Sequence, residues 1–328
     1  MPTFVVTRKM SPELAARVQA AVSGHAGTPR SGRLKSALRL LSFVFVVAAA
    51  IGVVHFQRQR TARLEAQRAE LLRHLAEHAR QLTRSDRDVP ARVAAAVALH
   101  AAPSYAGDFV AHDLRDAARL NAALAQPTLY LRGPLEGLAQ AGRLSELSAS
   151  SNKDAFLLCL LAPPETRTEK ALRVKASAAY AQGPSMQQAT AHVERVAPLL
   201  QALPLLGADW QRRIQSAETS ASLQVQGQLL DAAPLGAGIR AAKARQLLLV
   251  LDEAGTLKSS AELDGEREHQ VRVVLTDLTS GQARLRYRHP VDPAWLSDTA
   301  RAQYASGIDS CALAFDLRQS IANLPSDE

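Results

Sequence analysis

The sequence predicts a mixed α/β domain behind a single N-terminal transmembrane helix and a helical stalk, and three observations carry that prediction. Residues 37–56, ALRLLSFVFVVAAAIGVVHF, are far more apolar than any other stretch. Short strand-like runs, TLYLR at 128–132 and QLLLVL at 246–251, stand between long Ala- and Leu-rich stretches of helical character. Near the C-terminal end, 270–276 and 283–289 alternate apolar and polar residues on either side of DLTSG, the pattern of an antiparallel hairpin.

Taken in order, residues 1–36 read as a short basic cytoplasmic tail. Ser11 is placed as a helix N-cap before Pro12 and Glu13, and Leu14, Val18 and Val22 make an apolar stripe with no core of its own to join. Residues 37–56 read as the transmembrane helix, since twenty residues at helical rise cover about 30 Å, the thickness of a bilayer's hydrocarbon core. A cleaved signal peptide, with Ala48, Ala49 and Ala50 as the cleavage site, is the competing reading. The long preceding tail and the apolar continuation from Ile51 to Phe56 argue for an anchor instead.

Residues 57–83 are expected to form a membrane-proximal helical stalk. Leu64, Leu71, Leu75 and Leu82 give it a short coiled-coil-like seam, interrupted by Arg68 and His78. The remainder, 84–328, is the mixed α/β domain. Helices are expected over 88–102, 108–124, 135–147, 169–181, 186–203 and 208–231, with strands at 128–132, 155–161 and 246–251 and in the hairpin. The run AFLLCLL at 155–161, ended by Pro163 and Pro164, reads as a fully buried strand.

Charge is unevenly placed. The 328 residues carry a net +8, yet residues 1–83 hold thirteen Lys/Arg against four Asp/Glu and the rest of the chain is close to neutral. The basic residues flank the apolar span, where they meet anionic headgroups, and the folded region lacks the field that draws a polyanion. Arg30, Arg33, Lys35 and Arg39 precede or enter the span, while Arg58, Arg60, Arg63 and Arg68 follow it, so the positive-inside count is nearly tied. A short tail before a first helix favours a cytoplasmic N-terminus and a periplasmic C-terminal domain. Two cysteines, Cys159 and Cys311, exclude a disulfide-dense scaffold and leave two readings, one bridge or two small buried apolar residues.

Several motifs invite chemistry. His74, Glu77 and His78 spell H-x-x-E-H, which places two imidazoles on one helical face with a carboxylate beside them, as in zinc peptidases; Glu136 or Glu146 would have to supply a third ligand. The setting is an Arg-rich stalk, and a solvated helix face explains the pattern as well. Gly236, Gly238 and Ala241 match G-x-G-x-x-A, with Asp252 and Glu253 after the next strand. A dinucleotide fingerprint needs a strand before the first glycine, and Leu229 to Pro234 reads as a helix end, so a loop between helices is the preferred reading. Asp264, Glu266 and Glu268 alternate but are interrupted by Arg267, and fit a solvated loop. No catalytic, metal or cofactor residue is therefore assigned.

The expected function is that of a single-pass, bitopic inner-membrane protein presenting a non-catalytic α/β domain for binding or scaffolding at the cell envelope. A membrane-tethered hydrolase with a site assembled from distant residues is the alternative. The expected partners are the lipid bilayer and a protein met through the N-terminal tail or the α/β domain, with weak self-association through the stalk and no nucleic acid.

Overall fold

The computed structural model of the protein describes residues 32–140, 142–253, 268–302 and 305–325. The tail stripe of Leu14, Val18 and Val22 and the acidic residues Asp264 and Glu266 lie outside those residues, while Glu268 is exposed. The chain divides into two units, the second beginning at Ala66.

In the first unit the described backbone belongs to α1 (Gly32–Ala79). Among the described residues this is the one helix long and apolar enough to cross a membrane, and among them none buries its apolar part. Leu41, Phe43, Phe45, Ile51 and Phe56 are all exposed, Phe45 to 75%.

The second unit is mixed α/β, built on a six-stranded sheet of order β1-β6-β5-β4-β2-β3. In it α2 (Val89–His100) precedes the edge strand β1 (Phe109–Val110), and α3 (Ala117–Leu124) leads into β2 (Thr128–Pro134). The crossover from β2 to β3 (Val193–Arg195) carries α4 (Leu144–Ser150), α5 (Ala155–Leu161), α6 (Glu169–Tyr180) and α7 (Pro184–Ala189). The next crossover carries α8 (Val196–Ala202), α9 (Ala208–Gln215), α10 (Ser220–Ala232) and α11 (Leu235–Ala242) to β4 (Gln246–Glu253). The hairpin β5 (His269–Asp277) and β6 (Ala283–Val291) follows, and α12 (Ala305–Ser320) closes the unit. Strands β2, β3 and β4 are parallel, with β2 in the middle, and β5 and β6 continue the sheet antiparallel.

Strand alternation sorts the core into two layers. Tyr130, Leu248, Val250, Val271, Val273 and Tyr287 share one face and pack with α3, α5, α6 and α12. Leu129, Leu131, Leu247, Leu249 and Val274 point to the other face and are equally buried. Both faces of β5 are thus covered, with Arg272, Val274 and Thr276 each at most 4% exposed, whereas β6 buries Leu285 and Tyr287 and leaves Arg288 exposed on its other face. Arg272 is accommodated because its guanidinium donates to the carbonyls of His100, Ala102 and Pro103, capping the end of α2, and pairs with Glu253. The turn forms as the sequence suggests. Asp277 accepts the N–H groups of Thr279 and Ser280, and Gly281 supplies the left-handed residue at φ 73°.

The segment expected as a strand at 155–161 is helix α5. The Asp154 carboxylate caps it by accepting the Leu157 N–H at 3.2 Å, and the helix is buried on every side, so its apolar residues carry no period. The single helix expected over 186–203 is split by β3. Cys159 in α5 and Cys311 in α12 form a disulfide with their Cα atoms 5.2 Å apart, resolving the two readings of the cysteines.

Leu75 and Leu82, two of the four seam leucines, are buried inside the second unit. There Arg68 donates to the Ala217 carbonyl, Gln67 accepts from Ser220, and Leu71 lies against Gly227 of α10.

Candidate functional site

The chain leaves β2 towards β3 on one side and leaves β4 towards β5 on the other, so the carboxyl ends of β2 and β4 flank the point where the connections diverge. Crevices at such points are where open α/β sheets bind ligands. Here Arg132, near the carboxyl end of β2, and Asp252, near that of β4, stand on the same face of the sheet. Arg132 aligns with Val250, and Asp252 is two residues further on.

Arg132 is the centre of the site. Its Nε and Nη2 donate to the two carboxylate oxygens of Asp252 at 3.1 and 2.9 Å, a fork-on-fork pair. Its Nη1 donates to Asp154 at 3.0 Å and to Ser310 Oγ at 2.7 Å. Tyr130, two residues earlier on the same face, donates its hydroxyl to Asp154 at 2.9 Å. Strand β3 ends opposite Tyr130, so the Arg132 backbone N–H has no strand partner there and is taken by Ser151 Oγ at 2.9 Å. His269, at the start of β5, brings Nε2 to 3.6 Å from Asp252.

Electrostatics follow from this pairing. Burial works against the Arg132 charge, but Asp252 and Asp154 outweigh it and hold the guanidinium firmly protonated. Burial likewise raises the Asp252 carboxyl, yet Arg132 and His269 win and leave it below the usual carboxylate range. Tyr130 is driven well upward by burial and by the Asp154 charge, so it stays a donor. The two serines both accept from Arg132, an arrangement that supplies neither with a base.

A cleft of about 250 Å³ opens over this network, lined by Arg132, Asn152, Asp154, Asp252, Ser310 and Tyr180 among others. Asp154 is its most accessible charge, with its side chain 21% exposed. A second acidic site lies around Asp309 on α12. Burial pushes that carboxyl up to about 6 despite a hydrogen bond from Trp295 Nε1 at 3.2 Å. It lines a cavity of about 140 Å³ with Arg167, Asp316 and His289.

The residues singled out from sequence fall elsewhere or take other roles. His74 and His78 do share a face, with ring centroids 4.7 Å apart, but His78 Nδ1 lies 3.0 Å from the His74 carbonyl, within hydrogen-bonding reach. Among the described residues no three His, Cys, Asp or Glu side chains gather as metal ligands. His74 instead lines a cleft of about 430 Å³ between the end of α1 and α10, with Glu70 and Asp231.

Gly236 and Gly238 lie within helix α11 and not in the loop expected there, nor at a strand-to-helix turn. The requirement for glycine at 238 is packing: a Cβ there would sit 2.3 Å from Ala202 Cβ and 2.7 Å from the Pro198 carbonyl oxygen. Asp252 pairs with Arg132, and Glu253 with Arg272 and Arg288. Sequence reasoning passed over Arg132, Asp154, Tyr130 and Ser310; the one available signal was a charged residue at an inward position of an otherwise apolar strand.

No protein-family model, curated protein or solved structure matches this chain.

Proposed function

We propose that the chain is a single-pass membrane protein, with its N-terminus in the cytoplasm, that presents the α/β unit outside the cytoplasmic membrane as a non-catalytic binding or scaffolding domain. The observation that carries this reading is the exposed apolar surface of α1. Phe43, Phe45, Val46, Ile51 and Phe56 leave no polar face around the helix, and a lipid environment is what such a surface requires. Basic residues on both sides of the span suit the headgroup regions.

Two further features support the placement and the role. The disulfide between α5 and α12 belongs to an oxidising compartment, in agreement with an extracytoplasmic domain. In the cleft, the ionisable groups at the strand ends are consumed by one another, which makes the network a rigid wall for a ligand and a poor acid–base apparatus.

Extraction tests the attachment. Detergent is expected to release the full-length protein from membranes, whereas 1 M salt or carbonate at high pH leaves it in the pellet; release by salt alone contradicts the reading.

A further inference from the structure

We propose that the cavity bordered by Asp309 of α12 binds a small aliphatic primary amine in its ammonium form, the N–H groups donating to the Asp309 carboxylate and the alkyl stem lying on the side formed by Val291, Ala312 and Leu313. This rests on the α/β unit being a binding domain and assigns it a ligand site separate from the strand-end cleft.

The site starts from a half-satisfied carboxylate. Asp309 is 3% exposed, and its Oδ1 accepts the Trp295 Nε1–H at 3.2 Å. Its Oδ2 is shut off from bulk water and, among the described residues, accepts no hydrogen bond. A carboxylate can accept at about four lone-pair sites, and one buried oxygen with no donor costs free energy until a donor is supplied. The surrounding charges do not replace that donor. Burial raises the carboxyl to about 6; the Trp295 hydrogen bond, His269 and Arg167 draw it down, Asp292 pushes it further up, and burial wins.

The remaining walls decide what kind of donor fits. Arg167 donates Nε and Nη2 to the two oxygens of Asp316 at 2.6 and 2.8 Å, so its charge is already answered by a carboxylate. Burial holds His289 below its ordinary value, and its Nδ1 lies 2.9 Å from the Tyr287 hydroxyl, so it adds no positive charge at neutral pH. Among the described residues that line the cavity, Asp292, Asp309 and Asp316 thus stand against the one guanidinium of Arg167, and an anion is repelled. A bare divalent cation lacks its ligands, since among the described residues no three His, Cys, Asp or Glu side chains gather to hold one. Pro290, Val291, Ala312 and Leu313 make the other side apolar, which favours a cation carried on a short hydrocarbon stem. At about 140 Å³ the cavity admits a chain of a few carbons. Trp295 is fixed in its wall by the bond to Asp309 and by Arg167, whose Cζ lies 5.0 Å from the ring centroid, so the site is formed before a ligand arrives.

The test uses full-length protein in a neutral detergent and an amine-free phosphate buffer, titrated with n-butylamine and with 1-butanol, its uncharged counterpart, by calorimetry and by the indole N–H resonance of Trp295. Butylamine is expected to bind saturably with a dissociation constant at or below about 10 mM and to shift that resonance, and butanol to do neither. Asp309→Asn keeps an acceptor for Trp295 and should weaken binding at least about tenfold, with its melting midpoint reporting that it is folded. In the wild type an acid of about 6 must be ionised to hold the ammonium, so affinity should fall about tenfold from pH 7.5 to pH 5. That arm decides the matter without any variant. No butylamine binding up to about 50 mM, equal binding of butanol, affinity unchanged in folded Asp309→Asn, or affinity independent of pH overturns the proposal. A negative result with protein that still requires detergent for extraction removes the amine site and leaves the membrane reading standing.

Discussion

Replacing Arg132 by Met keeps the length and apolar stem of the side chain and removes its charge, leaving Asp252 as a carboxylate with its side chain only 6% exposed. Asp154, at 21%, can draw in water and contributes less. Removing one partner of a buried pair costs about 3–5 kcal/mol, because the other charge stays desolvated. For a unit of this size each kcal/mol moves the melting midpoint by about 2–4 °C, so a drop of about 6–20 °C is expected. Both tryptophans, Trp210 and Trp295, lie in this unit, and their fluorescence follows its unfolding.

The sign of the pH dependence separates this account from a general loss of packing. In the wild type the folded Asp252 carboxyl is held below its ordinary 3.8, so its contribution is present above that value and lost as pH falls through the folded one. In the variant only His269 still opposes burial, so the folded value is expected to rise above 3.8, and the penalty grows with pH and fades in acid. The gap between the two proteins should therefore be widest near pH 7.5 and narrow towards pH 4. Adding Asp252→Asn should restore much of the loss. A gap below about 1 kcal/mol at neutral pH, or one that does not narrow on acidification, refutes the reasoning.

Three other outcomes follow from the structure. Gly238→Ala drives a methyl into Ala202 and the Pro198 carbonyl and should cost about 1–3 kcal/mol, whereas Gly236→Ala, whose Cβ meets nothing closer than 3.9 Å, should be neutral or stabilising; thermal melts of the pair check this. Asp309→Asn keeps the acceptor for Trp295 while removing a carboxyl that burial raises to about 6 from 3.8. It should stabilise the protein by about 2–3 kcal/mol above pH 6 and lose that advantage towards pH 4, read by denaturant midpoints across pH. Cys159→Ser with Cys311→Ser opens a loop of 152 residues and should cost up to about 5 kcal/mol, with the wild type alone showing a mobility difference between reducing and non-reducing gels.

What the sequence made legible is the periodic part of the fold. The apolar span, β2, β4 and the β5–β6 hairpin were readable because each is an uninterrupted apolar run or a clean alternation bounded by Pro, Gly or Asp. Helix α5 was misread because a seven-residue segment buried all round offers neither a 3.6 nor a 2.0 period, and its one helical cue was Asp154 as a cap. Strand β3 was hidden because three residues between two helices carry too little pattern. The site was less legible than the fold. Arg132 finds its partners 22, 120 and 178 residues away, and only the crossing of the chain at β2 brings Asp154, Asp252 and Ser310 to it. Asp252 drew notice for its spacing from Gly236 and Gly238, but its partner is a cation on the neighbouring strand. Cys159 and Cys311 were visible as a pair, yet two apolar surroundings cannot distinguish a bridge from two buried thiols.

Protease added to spheroplasts tests the central claim most directly. With the α/β unit outside the cytoplasmic membrane, a C-terminal epitope disappears on protease treatment of intact spheroplasts while a cytoplasmic marker survives. An epitope that persists until the membrane is broken contradicts the account and places the unit, with the cleft over Arg132, on the cytoplasmic side.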